Sequence, residues 1–383
     1  MITQKNIKLE RPHFKNLDGL RFLAALSVFI FHFVSELKVI TPGQTKGFYY
    51  HLVSFVTSKG TLGVNFFFVL SGFLITYLIL YEIKTTKSFN LKYFLIRRTL
   101  RIWPLYFLIV VIGFLVFPLV FNGYSTNHRL INYVFFLANF DELYYGINDS
   151  INFLTAPWSV AIEEQFYLFW GVLFYVLSKT ILNKQLTMYK LPLIVLVLLL
   201  LSFMFRLYHH TEHRLLYYHT IAVMPDILIG ALLGYFYMLK HRWIKSLENL
   251  SKNKIILVYF IGLSIILFKN QIFFGPFIVL ERFVIALFFA FVILDQISFN
   301  CSFLKVENIK GTAFLGKISY GLYMYHLVVM YVLEKSIDFG SLNDYVSITL
   351  FFILSVFLTF IIALLSYQWF EHPFLTLKKK FKL

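Results

Sequence analysis

The chain is dominated by apolar runs as long as a membrane crossing. Ten of them centre on residues 17–35, 62–82, 103–121, 157–178, 191–208, 215–238, 254–268, 277–296, 313–333 and 345–370. A helix needs roughly 17–25 such residues to cross the hydrocarbon layer, where every backbone polar group must be satisfied within the segment. Composition agrees: 59% of the 383 residues are hydrophobic and 14% are charged, against about 25% charged in a soluble domain. The sequence therefore predicts an all-α, polytopic integral membrane protein of about ten transmembrane helices.

Charge orients those helices. With Met1 cytoplasmic, roughly 24 Lys and Arg fall on the inner side and about 7 on the outer, as the positive-inside rule requires. The inner set includes Lys84, Lys87, Lys92, Arg97, Arg98 and Arg101; the outer loops hold Asp141, Glu142, Asp149, Asp338 and Asp344. Both termini are expected to be cytoplasmic, in a plasma (inner) membrane. One membrane-embedded domain is expected over 1–383: a cytoplasmic segment 1–16, a bundle 17–370 and a basic tail 371–383. The net charge of +16 then reflects topology, and no nucleic-acid partner is expected. The first run is too long and too charged for a cleaved signal peptide and is expected to be retained. A weaker patch, Tyr133 to Phe140, reads as interfacial or re-entrant, because another crossing there would invert every later loop. Cys301 is the single cysteine, so no internal disulfide forms.

The apolar runs carry ionisable groups that a bilayer disfavours by about 2.5–3.5 kcal/mol each. The first holds Asp18, Arg21 and His32. Arg21 and His32 are eleven residues apart, which returns to nearly the same helix face some 16 Å further on. Gly63-Val-Asn65-Phe-Phe-Phe-Val-Leu-Ser71-Gly72 opens the second run, and its small and polar residues suit close helix packing. Arg97, Arg98 and Arg101 precede Trp103-Pro104. They suit either lipid head groups or, being arginines one turn apart, phosphate oxygens held by forked hydrogen bonds. Pro104 suits the first turn of the third helix.

Trp158-Ser159-Val-Ala-Ile-Glu163-Glu164-Gln-Phe-Tyr167 places two carboxylates about 100° apart, with Ser159 and Glu163 on one face. One carboxylate is expected to orient a base or take a hydroxyl, the other to pair with an arginine. Ser319, Tyr323 and His326 recur at i, i+4 and i+7, a polar stripe that suits packing or a cavity wall. Glu281 and Arg282 are expected to pair locally. His209 and His213 have i,i+4 ligand spacing, but no three-ligand set accompanies them and no metal is expected.

In order and spacing, these stretches resemble the acyltransferase 3 family of multipass membrane acyltransferases. The set comprises Leu17-Asp-Gly-Leu-Arg21 with His32, Phe66-Phe-Phe-Val-Leu-Ser-Gly-Phe73, Arg97-Arg-Thr-Leu-Arg-Ile-Trp-Pro104, Trp158 through Tyr167, and Ile318-Ser-Tyr-Gly-Leu-Tyr-Met-Tyr-His326. The resemblance implies transfer of an acyl group, usually acetyl, from cytoplasmic acyl-coenzyme A (acetyl-CoA) to a hydroxyl of an envelope or lipid-linked glycan. It implies His32 as catalytic, Arg98 and Arg101 in donor handling, and Glu163 and Glu164 as the carboxylate motif. It also implies the stand-alone type, without a fused esterase-like domain. Two positions depart from the pattern: Ala156 where many members have histidine, and Leu327-Val-Val where proline often follows the last motif.

Chemistry of the residues agrees. A donor bearing phosphates suits Arg21, Arg97, Arg98 and Arg101 at one membrane face, and imidazole is the side chain nearest in pKa for deprotonating a hydroxyl. His32 is expected as general base, with Glu163 or Glu164 as its orienter or as a sugar ligand. A polar cavity is expected between the first, second, fourth and ninth helices, lined by Asp18, Asn65, Ser71, Trp158, Ser159, Ser319, Tyr323 and His326. The competing readings are a glycan transporter or flippase and a non-catalytic scaffold of a glycan assembly complex. Only the acyltransferase consumes acyl-coenzyme A. The expected partners are membrane lipid, the donor and a glycan acceptor; the sequence sets no oligomeric state.

Overall fold

A computed structural model describes residues 14–40, 48–121, 124, 126–146, 152–180 and 184–381. The described residues form helices and connecting turns, with no strand among them. Each apolar run becomes a helix: α1 Lys15–Ile40, α2 Leu62–Thr86, α3 Leu91–Val111, α4 Pro157–Thr180, α5 Lys184–Tyr208, α6 Thr220–Met238, α7 Lys252–Leu267, α8 Ile278–Ser298, α9 Thr312–Ser336 and α10 Asp344–Leu365. Among the described residues, eight helical stretches are long and apolar enough to cross a membrane. The count reaches nine if α7 and Arg242–Glu248, bent by 99° between them, form one broken span. The remaining helix, α9, has 25 residues, but its lysine, serine, tyrosines and histidine make it too polar to qualify by composition. It is hidden among the others, with Ser319, Tyr323 and His326 buried.

Helix packing here rests on small residues that let backbones meet. A Cβ on Gly72 of α2 would fall 1.9 Å from the Ile227 carbonyl oxygen of α6, and one on Gly230 of α6 would fall 1.9 Å from the Val69 carbonyl of α2. Each glycine thus admits the other helix's backbone. Gly316 of α9 does the same for α1, where its Cβ would lie 2.2 Å from the Asp18 carbonyl. These two crossings fix α1, α2, α6 and α9 around one centre.

The third run starts earlier than its hydropathy predicts. Asn90 caps α3, its side chain accepting from the Tyr93 N–H at 3.0 Å. The basic segment is therefore the first part of the helix, and Pro104 lies in the helix interior rather than in its first turn. The segment after α3 holds two short helices, Leu130–Val134 and Ala138–Tyr145, matching the expectation that it does not cross. A buried cluster ties it together: His128 Nδ1 meets Asp141 Oδ2 at 2.5 Å, and Asp141 Oδ1 accepts from Asn132 at 2.6 Å. Glu142 lies 3.5 Å from the other ring nitrogen, and burial raises its carboxyl above the ordinary range.

Glu281 and Arg282 do not pair with each other. Adjacent residues on a helix point about 100° apart, and each finds another partner. Glu281 accepts from Lys269 at 2.6 Å, and Arg282 donates to Asp226 of α6, which also takes the Asn65 amide at 3.0 Å.

Candidate active site

A cavity of about 130 Å3 opens where α1, α2, α3, α4 and α9 converge. Its walls include Arg21, Ser71, Arg98, Arg101, Ser159, Glu163, Ser319 and Tyr323. The expected four helices are all present, and α3 joins them because its early start brings Arg98 and Arg101 inward.

The helix periods explain the lining. Ser159, Glu163 and Tyr167 are successive i,i+4 neighbours on α4, and all three line the cavity. Tyr167 donates to Glu163 Oε2 at 2.8 Å and also meets the Ser71 hydroxyl. Ser159 bonds the Tyr323 hydroxyl at 2.8 Å, and Tyr323 donates on to the Ala156 carbonyl at 3.2 Å. The position where many family members have histidine therefore contributes only its backbone oxygen. Ser319 turns back to the Gly316 carbonyl at 2.8 Å. These hydroxyls form a continuous polar wall from α2 through α4 to α9.

Positive charge collects at one end. Arg21 is paired with Asp18 one turn earlier at 2.5 Å, and Arg21, Arg98, Arg101 and Glu163 line the same cavity. Arg98 lies over the rings of Phe94 and Tyr167, at 5.9 and 5.8 Å from their centroids. Such a group of guanidinium forks can hold phosphate oxygens.

His32 and His326 lie at the far end. Their rings are 5.2 Å apart, and Tyr323 is 5.8 Å from His326. His326 Nδ1 faces the Tyr323 carbonyl at 2.6 Å. A ring nitrogen facing a carbonyl must carry the proton, so Nε2 keeps the lone pair. That nitrogen is buried and has no hydrogen-bond partner among the described residues. The arrangement leaves a buried nitrogen lone pair on the ring that packs against His32, next to the cavity wall at Tyr323.

Several expected site residues lie elsewhere. Arg97 points away from the cavity, donating to Glu82 at 2.7 Å and to the Phe381 carbonyl at 3.1 Å. It sits 100° from Arg98 on the helix, and the buried Glu82 claims it. Glu164 accepts the Trp103 indole N–H at 3.0 Å, not an arginine fork. Of the two roles expected of a glutamate, orienting His32 has no contact behind it among the described residues, where the His32 ring meets that of His326. Asn65 supports Asp226. Trp158 is buried against Phe68, Tyr217 and Tyr218. His209 takes Glu212 at 2.7 Å, and no group of three or more metal-ligating side chains occurs among the described residues. Sequence reading missed Tyr167 and Tyr320 as lining residues; the i,i+4 step from Glu163 to Tyr167 was the available signal.

The chain matches the model of an acyltransferase domain over residues 14–368. It is 28% identical over 387 residues to the peptidoglycan O-acetyltransferase OatA of Listeria monocytogenes, covering 97% of this chain and 57% of that protein. It is 27% identical over 399 residues to the O-acetyltransferase OatA of Staphylococcus aureus, covering 98% and 59%. The chain thus spans well under two thirds of the length of these relatives. No solved structure matches. The ordered motifs, the helical bundle and the match across nearly its whole length place this chain in the acyltransferase family of multipass membrane proteins.

Proposed function

We propose that this chain moves an acetyl group from cytoplasmic acetyl-coenzyme A to a hydroxyl of an envelope glycan across the plasma membrane. The observation that carries this reading is the polar cavity: Arg21, Arg98 and Arg101 line it together with the hydroxyls of Ser71, Ser159, Ser319 and Tyr323, and Tyr323 packs on His326, which packs on His32. Arg21 and His32 lie about 16 Å apart along α1, a span on the scale of an extended phosphopantetheine arm. The relatives named O-acetyltransferases support acetyl as the group moved. The excess of basic residues at the arginine end supports ten crossings with both termini cytoplasmic.

In this reading Arg98 and Arg101 bind the donor's phosphates, with Arg21 deeper in. Glu163 and Tyr167 hold the arm by hydrogen bonds. The acceptor hydroxyl oxygen attacks the thioester carbonyl carbon as the C–S bond breaks. His32 takes the hydroxyl proton and returns it to the departing thiolate, with the His326 ring packed beside it. Labelled acetyl-coenzyme A supplied to reconstituted protein with envelope glycan tests it directly. Label should appear on the glycan as an alkali-labile ester. A flippase would move glycan without consuming the donor, and that result would overturn the reading.

A further inference from the structure

A second cavity, of about 540 Å3, lies among α2, α5, α8 and the 269–278 turn, and shares no lining residue with the first. Its walls include Asn65, Arg206, Tyr217, Lys269, Glu281 and Arg282. Asn65 stands at the start of α2, Arg206 at the end of α5, and Glu281 and Arg282 at the start of α8. Successive antiparallel helices place all three ends opposite the end of the bundle that holds Arg21, Arg98 and Arg101. Trp158 stands between the cavities, packed on Phe68 of the first and Tyr217 of the second.

The charges of this wall do not cancel. Lys269 and Glu281 neutralise each other at the rim, 2.6 Å apart. Deeper in, Arg282 is paired with Asp226. Arg206 is fully buried and held by backbone carbonyls of Val279, Ala222, Leu216 and Ile278 at 2.9–3.3 Å. Carbonyl dipoles orient a guanidinium without removing its charge. Among the described residues the wall thus holds two buried cations against one buried carboxylate, a costly surplus in a low-dielectric site. An anion in the cavity would relieve it. Amide, carboxylate, guanidinium and aromatic ring together also suit a sugar's hydroxyls and faces.

We propose that this cavity binds a sugar carrying a negative group, carboxylate or phosphate, as the acceptor side of the transfer. The sugar assignment rests on the O-acetyltransferase reading; the anion assignment rests on the charges alone. The test measures binding without donor or turnover, so its failure is separate from failure of that reading. Glucose, glucuronate and glucose 1-phosphate are titrated against the full chain in nanodiscs by saturation-transfer NMR. Glucuronate or glucose 1-phosphate should bind at least tenfold more tightly than glucose, and which one does so identifies the anionic group. Glu281→Gln releases Lys269 and should tighten the anion further; Lys269→Glu should erase the preference while the protein remains folded. Equal binding of glucose, or a preference that survives Lys269→Glu and ignores Glu281→Gln, would overturn the proposal. If Lys269→Glu does not fold, Glu281→Gln decides alone.

Discussion

Replacing Asp226 with Asn should be among the most damaging single changes outside the candidate active site. Asp226 is fully buried and accepts from Arg282 and from Asn65 at 3.0 Å. Asn keeps the shape and one acceptor but deletes the charge that balances Arg282, itself buried. Breaking a buried ion pair by removing one partner costs about 3–5 kcal/mol, because the other charge stays behind unpaired. The guanidinium cannot shed its proton, so the full penalty applies to Asp226→Asn. Arg282→Gln leaves a carboxylate that can take up a proton, and it should cost less. The double variant Asp226→Asn/Arg282→Gln removes both charges and should recover most of the loss, since matched removal of a buried pair is often near neutral. Equilibrium unfolding in mixed micelles, run on all four proteins, reads the coupling. A cost below about 1 kcal/mol for Asp226→Asn, or a double variant as unstable as the sum of the singles, would refute the reasoning.

Other outcomes follow from the same geometry. Gly72→Ala should destabilise by about 1–3 kcal/mol or prevent insertion of the fold, because its Cβ would meet the Ile227 carbonyl; a neutral unfolding midpoint contradicts it. Glu142→Gln tests the loop cluster by pH. Burial raises the Glu142 carboxyl, so its contribution is favourable while it is protonated and is lost as pH rises through the raised value. The variant should therefore gain stability over wild type at pH 8 and little at pH 5, read as unfolding midpoints; an equal or reversed difference sinks the account. Tyr167→Phe removes the hydrogen bonds to Glu163 and Ser71 and should lower transfer by roughly tenfold while the protein remains folded, in keeping with loss of one or two net hydrogen bonds. Arg97→Gln should reduce stability through Glu82 and leave donor affinity within about twofold, whereas Arg98→Ala should weaken donor binding more than tenfold, the loss expected of a charge-assisted contact.

The legible part of this protein was periodic. The spacing of Ser159 and Glu163, and of Ser319, Tyr323 and His326, put those side chains on common faces, and the structure keeps them there. Apolar length located all ten helices because lipid and protein interiors both demand it. What periodicity could not supply was the partner. Arg97 and Arg98 look alike in sequence, and only Glu82, on the preceding helix, separates the structural one from the one at the cavity. Asp226 and Arg282 are 56 residues apart, and nothing local joins them. The Asn90 cap was visible in sequence, and reading it would have carried α3 back to Leu91 and moved Pro104 inside the helix. The opposite case is α9, found as an apolar run although Ser319 and Tyr323, which line the cavity, weaken its apolar signal.

The central claim is that the arginine end takes the donor and the histidine end completes the transfer. It is tested most directly by turnover of labelled acetyl-coenzyme A in sealed proteoliposomes of wild type, His32→Ala and Arg98→Ala, with folding checked on each sample. The account predicts that wild type releases or transfers the label. It predicts that His32→Ala binds donor normally but does not turn it over, and that Arg98→Ala requires more than tenfold more donor. A His32→Ala protein that transfers acetyl at the wild-type rate would contradict it.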